Sequence, residues 1–115
     1  MPRDDGVYIG HIVDTGRKVV EKVHGKTRED FDADENLRLA VTHLLQVIGE
    51  AAGRISQEFR GRHPDIPWKA IVGMRHKVVH DYMNVDEDVV WRTATQELPV
   101  LLSRLQHLSD ELPGL

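Results

Sequence analysis

The chain has 115 residues, 40% hydrophobic, 30% charged and 5% aromatic, which fits one soluble domain with a modest core and is too little for two. A formal charge of −4 argues against nucleic-acid binding by bulk charge, so any such contact must come from a local basic patch. The lack of cysteine excludes disulfides, thiolate nucleophiles and cysteine-based zinc sites. No apolar run approaches the roughly 18 residues of a membrane span, and Met1-Pro2-Arg3-Asp4-Asp5 does not read as a secretory signal, so no membrane contact and a cytoplasmic location are expected.

Asp4 or Asp5 is placed to cap a first helix running to about Val23, with Ile9, Ile12, Val13, Val19, Val20 and Val23 at helical spacing. Gly6, Gly10 and Gly16 weaken it locally or admit a close neighbour. Thr27-Arg28-Glu29-Asp30 has the pattern of a capping box and predicts a short turn that tucks in Phe31. Asp32 or Asp34 then starts a second helix reaching about Phe59, whose core stripe runs from Leu37 through Val41, Leu45, Ile48 and Ala52 to Ile55. Its opposite side carries Leu39, His43, Val47, Glu50 and Arg54, less polar than a solvated face, which points to a second subunit.

Arg60 to Pro67 reads as a connector punctuated by Gly61, Pro64 and Pro67, with Pro67 at the first position of a third helix that runs to about His80. Asn84-Val85-Asp86 is a break, and Asp86 caps a fourth helix with a stripe from Val90 to Leu112 and an expected kink at Pro99. Four main helices with short links and no strand-like alternation predict an all-α antiparallel bundle, one domain over 1–115.

The third helix carries the chemistry. A turn of 100° per residue puts Arg75 in the middle of an apolar stripe formed by Trp68, Ile71, Met74, Val78 and Tyr82. A charge on a core face is costly unless a carboxylate, a phosphate or a pocket receives it. His76 and His80 lie together at the stripe's edge, four residues apart, but no third ligand accompanies them, so two exposed histidines are the better reading than a metal site. Arg75 and His80 suit phosphodiester cleavage, one holding phosphate and the other moving a proton, with the RNA 2′-hydroxyl as nucleophile. Their five-residue spacing corresponds to about 140° on a regular helix, so they converge only if the helix ends or bends near His80, where Asp81, Tyr82 and Asn84 stand, or if a second chain completes the cleft. The bland alternatives are Arg75 paired with Glu50, a surface His80 and a core Tyr82. Lys69, Lys77, Arg54, Arg60, Arg62 and His63 form either a basic rim or a solvated face, and Trp91 is most simply a core anchor.

Arg75-His76-x-x-x-His80-x-Tyr82 resembles the Arg-x4-His-x-Tyr motif of the HEPN superfamily, and more closely its HepT-like toxins. Ile48-Gly49-Glu50-Ala51-Ala52, His63-Pro64-Asp65-Ile66-Pro67-Trp68, Val90-Trp91 and Leu98-Pro99 resemble that family too, in the right order over nearly the whole chain. The resemblance implies a helical homodimer with facing motif helices, acting as a metal-independent endoribonuclease without cofactor in a type VII-like toxin–antitoxin pair. A minimal nucleotidyltransferase antitoxin would silence it by transferring AMP to the motif tyrosine. Carried over to this chain, Arg75 holds phosphate and His80 is the acid or base. His76 supports them, with Glu50 as a partner for Arg75 and Asp81 alongside. Tyr82 is modified, and Lys77 and Arg54 contribute weakly to RNA binding. The rival from another class is a non-catalytic nucleotide-binding or scaffold subunit of a nucleotidyltransferase complex.

Overall fold

The computed structural model describes residues 4–81 and 84–111, with the backbone alone at 77–81, 84 and 109–111. Helix α1 spans Asp5–Val23, with Asp4 as N-cap accepting from the Val7 N–H. Gly25, at φ 74°, takes the left-handed conformation that lets the chain leave the helix sharply. In α2, Arg28–Ala33, the capping box is complete: the Thr27 hydroxyl accepts from the Asp30 N–H at 3.1 Å and the Asp30 carboxylate from the Thr27 N–H at 2.9 Å. The bond from the Thr27 N–H, and after it the Thr27 hydroxyl beside the carboxylate, stabilise its ionised form and hold the Asp30 pKa below its usual value. Phe31 is tucked into the core as the pattern predicted. Asp34 caps α3, Glu35–Gly53.

The second predicted helix is shorter than its apolar stripe implies. It stops at Gly53, and a separate α4, Gln57–Arg62, starts from the N-cap Ser56. The reason lies 51 residues away, where the Asp5 carboxylate accepts both the Ser56 N–H at 2.8 Å and the Ser56 hydroxyl at 2.7 Å. That contact joins the start of α1 to the end of α3, so the two long helices run antiparallel. Arg60 closes the break by donating to the Ala52 carbonyl at 2.8 Å.

Pro67 is the N-cap of the third segment rather than its first helical residue. The segment is two short helices, α5 (Trp68–Val72) and α6 (Met74–Val78), interrupted at Gly73. It then turns into a minimal hairpin, β1 (Val79–Asp81) and β2 (Asn84–Val85), antiparallel with Val79 opposite Val85 and Asp81 opposite Asn84. Neither the break at Gly73 nor the ladder was predicted from the sequence. Asp86 caps α7, Glu87–Arg92, as expected.

Just ahead of Pro99, where a kink is expected, the chain forms a π-helical turn, Thr93–Glu97, that leads into α8, Leu98–Glu111. Proline has no N–H to donate and its ring crowds the carbonyl four residues back, and a widened turn relieves both. Leu112, the last residue of the predicted stripe, lies outside the described residues.

The architecture is an all-α bundle of four main segments. Ile9, Ile12 and Val19 of α1, Val41, Leu45 and Ile48 of α3, Ile71 of α5, Val90 of α7 and Leu98 and Leu105 of α8 have no exposed surface. Each such side chain contributes on the order of 1.5–3 kcal/mol by leaving water. Of the α1 glycines, Gly16 is the one shown to admit a neighbour: a Cβ there would stand 2.5 Å from a Leu102 methyl, whereas at Gly10 it would meet nothing. At the end of the bundle that holds the hairpin, Arg28 ties α2 to α7 through Asp88 at 2.7 Å while also holding Asp32 at 2.8 Å, and both contacts raise its pKa. All three side chains are well exposed, so this clasp orients the elements more than it stabilises them.

Candidate active site

Two features position the motif. Before it, the Trp68 indole N–H donates to the His63 carbonyl at 2.9 Å, and the buried ring rests edge-on against Phe59 at 6.1 Å. Beneath it, Gly49 of α3 lets the backbone of α6 come close: a Cβ at Gly49 would stand 3.0 Å from the Arg75 nitrogen, 3.2 Å from its Cβ and 3.3 Å from the Val72 carbonyl. A side chain at Gly49 would require these neighbours to give by a few tenths of an ångström, and two of the three atoms are backbone. Gly49 was noted in the sequence only as part of a resemblance. What gives it a role is its contact with Arg75, 26 residues further along the chain.

Arg75 corrects the helical-wheel expectation. It is exposed, not centred on the core face. The wheel assumed one continuous helix, but α5 closes at Gly73, whose N–H bonds the Lys69 carbonyl at 2.9 Å, and the next turn restarts with the His76 N–H on the Gly73 carbonyl at 3.0 Å. The backbone of α6 packs on Gly49, and the Arg75 residue is left exposed. The Glu50 carboxylate, considered as its partner, instead meets Arg54 one turn along α3 at 3.4 Å. Glu50 and then the Tyr8 hydroxyl raise the Arg54 pKa. Among the described residues no carboxylate forms an ion pair with Arg75.

His76 is exposed beside Arg75. The helix ends at Val78, two residues before His80, which lies on β1. The backbone therefore departs from the regular helix in which Arg75 and His80 diverge. Asp81 shares that strand, with its backbone opposite Asn84. The side chains of Lys77, His80 and Asp81, and all of Tyr82, lie outside the described residues.

The predicted basic rim is largely engaged in other contacts. Arg60 bonds the Ala52 carbonyl, Arg62 lies 3.9 Å from Glu58 and over the Phe59 ring, and His63 packs on the same ring at 4.6 Å. Trp91 stacks against Phe31 at 5.1 Å, the anchoring role expected of it.

The outer face of α3 runs between the motif and α1. Leu39 is 63% exposed, and Val47, Glu50 and Arg54 share a shallow cavity of about 370 Å³ with Tyr8 and His11 of α1. A second cavity of about 410 Å³ opens between α3 and the hairpin, and Leu39 and His43 of the same face line it together with Glu35, Arg38, Val85 and Glu87. Among the described residues no three potential metal ligands come together, and no helix is long and apolar enough to cross a membrane.

An exposed arginine on a short helix packed against glycine, with a histidine on the strand just beyond, is an arrangement that can be compared with known proteins. Residues 13–108 match the family described as ribonuclease HepT-like. The chain belongs to that family. A protein of Thermococcus cleftensis named a probable ribonuclease HepT is 33% identical over 108 residues, covering 94% of this chain and 98% of that protein. A Caldanaerobacter subterraneus subsp. tengcongensis protein, named provisionally as an RNase, is 37% identical over 101 residues, 88% of this chain and 90% of its own length. A Methanocaldococcus jannaschii protein with the same kind of name is 31% identical over 115 residues, 99% and 95% of the two chains. No solved structure matches the chain. The HepT-like family confirms the HEPN-type resemblance and makes RNA the substrate class and endoribonuclease the activity.

Proposed function

We propose that the chain is the ribonuclease toxin of a type VII-like toxin–antitoxin pair and cleaves RNA without a metal, using Arg75 and His80. The observation that carries this reading is the end of α6 at Val78: Arg75 stands exposed on the helix while His80 follows on a strand, which frees the pair from the divergence of a regular helix. Arg75 donates N–H bonds to the non-bridging oxygens of the scissile phosphate, where charge builds up. Neutral His80 takes the proton from the 2′-hydroxyl as its oxygen bonds to phosphorus. The bond from phosphorus to the 5′-oxygen breaks, and an imidazolium supplied by a second copy's His80 gives that oxygen its proton. The products are a 2′,3′-cyclic phosphate and a 5′-hydroxyl.

The second copy docks on the outer α3 face. Leu39 and the neighbouring Val47 offer apolar area there that a monomer leaves wet. A partner nucleotidyltransferase silences the enzyme by AMP transfer to Tyr82: the phenol oxygen bonds to the α-phosphorus of the donor nucleotide, pyrophosphate leaves, and the phenol proton goes to a base. His76 and Asp81 support the motif, and Lys77 and Arg54 give weak electrostatic help with RNA.

The test uses chain expressed without its partner, with Tyr82 shown to be unmodified by intact mass, and RNA in the presence of chelator. Wild type is expected to cleave and His80→Ala, equally folded, is not. Equal cleavage by both would sink the role of His80, and RNA binding without turnover by wild type would favour a non-catalytic nucleotide-binding subunit. With partner and ATP present, wild type should fall silent while Tyr82→Phe stays active. Silencing of Tyr82→Phe would rule out Tyr82 as the modified residue.

A further inference from the structure

A cavity of about 450 Å³ lies between the connector that precedes α5 and the second half of α8. Ile66 and Leu108, only 4% and 6% exposed, give it an apolar floor. On α8, His107 follows Arg104 by three residues and Ser103 by four, so the three share one side of the helix, and all of them are exposed to an incoming ligand. The facing connector is held in place. The His63 ring packs on Phe59 at 4.6 Å, and the His63 carbonyl accepts from the Trp68 indole at 2.9 Å and from the Ile66 N–H at 3.2 Å. Arg104 donates across the cavity to the Asp65 carbonyl at 3.4 Å, a single long bond that leaves most of its guanidinium fork unused. Arg104 and Asp65 both line the cavity, yet among the described residues neither forms an ion pair, with each other or with any other charge.

We infer that this cavity binds one ribonucleotide unit. Arg104 and the Ser103 hydroxyl take the phosphate, since a guanidinium meets a phosphate with two parallel N–H bonds. Asp65 accepts from the ribose 2′-hydroxyl, the group by which a protein tells RNA from DNA. The base lies on the flat ring of His107 over the floor of Ile66 and Leu108, as unstacked bases do on planar side chains. An apolar floor with a few convergent polar groups, in a volume of this size, is the general form of a small-ligand site. A bare inorganic phosphate would use Arg104 and Ser103 but leave the floor and the carboxylate idle, so a nucleotide fits the wall better. The unit is either one residue of an RNA strand or a free mononucleotide. Through the His63 carbonyl the site adjoins Trp68, the first residue of α5, and so touches the segment that carries Arg75. The RNA source rests on the ribonuclease reading, whereas binding of a free nucleotide does not, and the two arms of the test separate them.

In the first arm, AMP, 2′-deoxy-AMP and inorganic phosphate are titrated by calorimetry into unmodified wild type, Arg104→Ala, His107→Ala and Asp65→Ala, each checked for an unchanged unfolding transition. Lys22→Ala, which removes an exposed cation from the last turn of α1, controls for bulk charge. AMP should bind better than the other two probes. Arg104→Ala should weaken it by on the order of tenfold or more, the scale of one hydrogen bond to a charged group. His107→Ala should weaken it less, Asp65→Ala should erase the margin over 2′-deoxy-AMP, and Lys22→Ala should change nothing. In the second arm, the His80→Ala protein, which leaves RNA intact, binds a labelled oligouridine with and without Arg104→Ala. Weaker RNA binding in the double variant, with AMP competing against the strand, assigns the site to RNA. Unchanged RNA binding beside a lost AMP affinity assigns it to the free nucleotide. No affinity for AMP, or one that survives Arg104→Ala, falls as much with Lys22→Ala, or only matches that for inorganic phosphate, overturns the site. If wild type cleaves no RNA, the ribonuclease reading fails and the first arm still decides.

Discussion

The α1–α3 pair and the motif segment are built in opposite ways. Both α1 and α3 are 19 residues long, start from aspartate caps and bury regular aliphatic stripes. The motif segment has two five-residue helices and a ladder of three and two residues, none long enough to persist alone. The long helices are specified by their own sequence. The motif is specified by what holds it: the Trp68 bond to His63 before it, Gly49 beneath it and the Arg28–Asp88 clasp beyond it. The arginine and histidine proposed to act on RNA gain from this, because a segment that is not a regular helix is free of the divergence a regular helix imposes on them.

The contrast can be broken from either side. The largest effect expected is on chemistry alone: His80→Ala should lower cleavage by about 10²–10⁴-fold, the usual weight of a general acid or base, while the thermal midpoint stays put. Arg75→Ala should behave similarly, since Arg75 is exposed and no carboxylate among the described residues pairs with it. On the scaffold side, Ile48→Ala should cost about 2–5 kcal/mol in denaturant unfolding, as Ile48 has no exposed surface, with turnover of the remaining folded protein little changed.

Gly49→Ala sits where the two regions meet and should move both readouts. The added methyl lies 3.0 Å from the Arg75 backbone nitrogen, so a loss of about 1–3 kcal/mol is expected, together with reduced kcat from a displaced Arg75. Stability loss with full activity would mean that Gly49 does not position the motif. Trp68→Phe keeps an aromatic ring but removes the N–H bonded to His63 together with part of the buried indole, and should cost about 1–3 kcal/mol by urea unfolding.

The smallest effect is a pH dependence at Glu87. Its folded pKa is raised by burial, so the group favours the fold when protonated, below its unfolded value, and loses that advantage as pH rises through the folded pKa. Glu87→Gln should therefore be more stable than wild type at pH 7, and the gain should shrink as the pH falls below the usual carboxylate range. A gain that grows on acidification would contradict the assignment of that shift to Glu87.

What the sequence made legible follows the same division. The caps at Asp4, Thr27, Asp34 and Asp86 and the tucked Phe31 were readable because each is decided within a few residues. The end of α3 was not, because the Ser56 cap depends on Asp5 at the other end of a 51-residue loop. The exposed position of Arg75 was hidden by an interruption at Gly73 that the apolar spacing ran straight across. A distortion was anticipated at Pro99, and a π-turn stands just ahead of that proline. In the candidate site, the chemistry-bearing residue types stood out in the sequence, whereas Gly49 emerges only once α3 is packed against the motif.

The central claim is that RNA supplies its own nucleophile while Arg75 and His80 do the rest. The most direct test is the chemistry of the ends left when unmodified wild-type protein cleaves labelled RNA in chelator. The account predicts 2′,3′-cyclic phosphate on one product and 5′-hydroxyl on the other, with no cleavage next to a 2′-deoxy nucleotide. A 3′-hydroxyl with a 5′-phosphate, or cleavage that stops when the chelator is added, would contradict it.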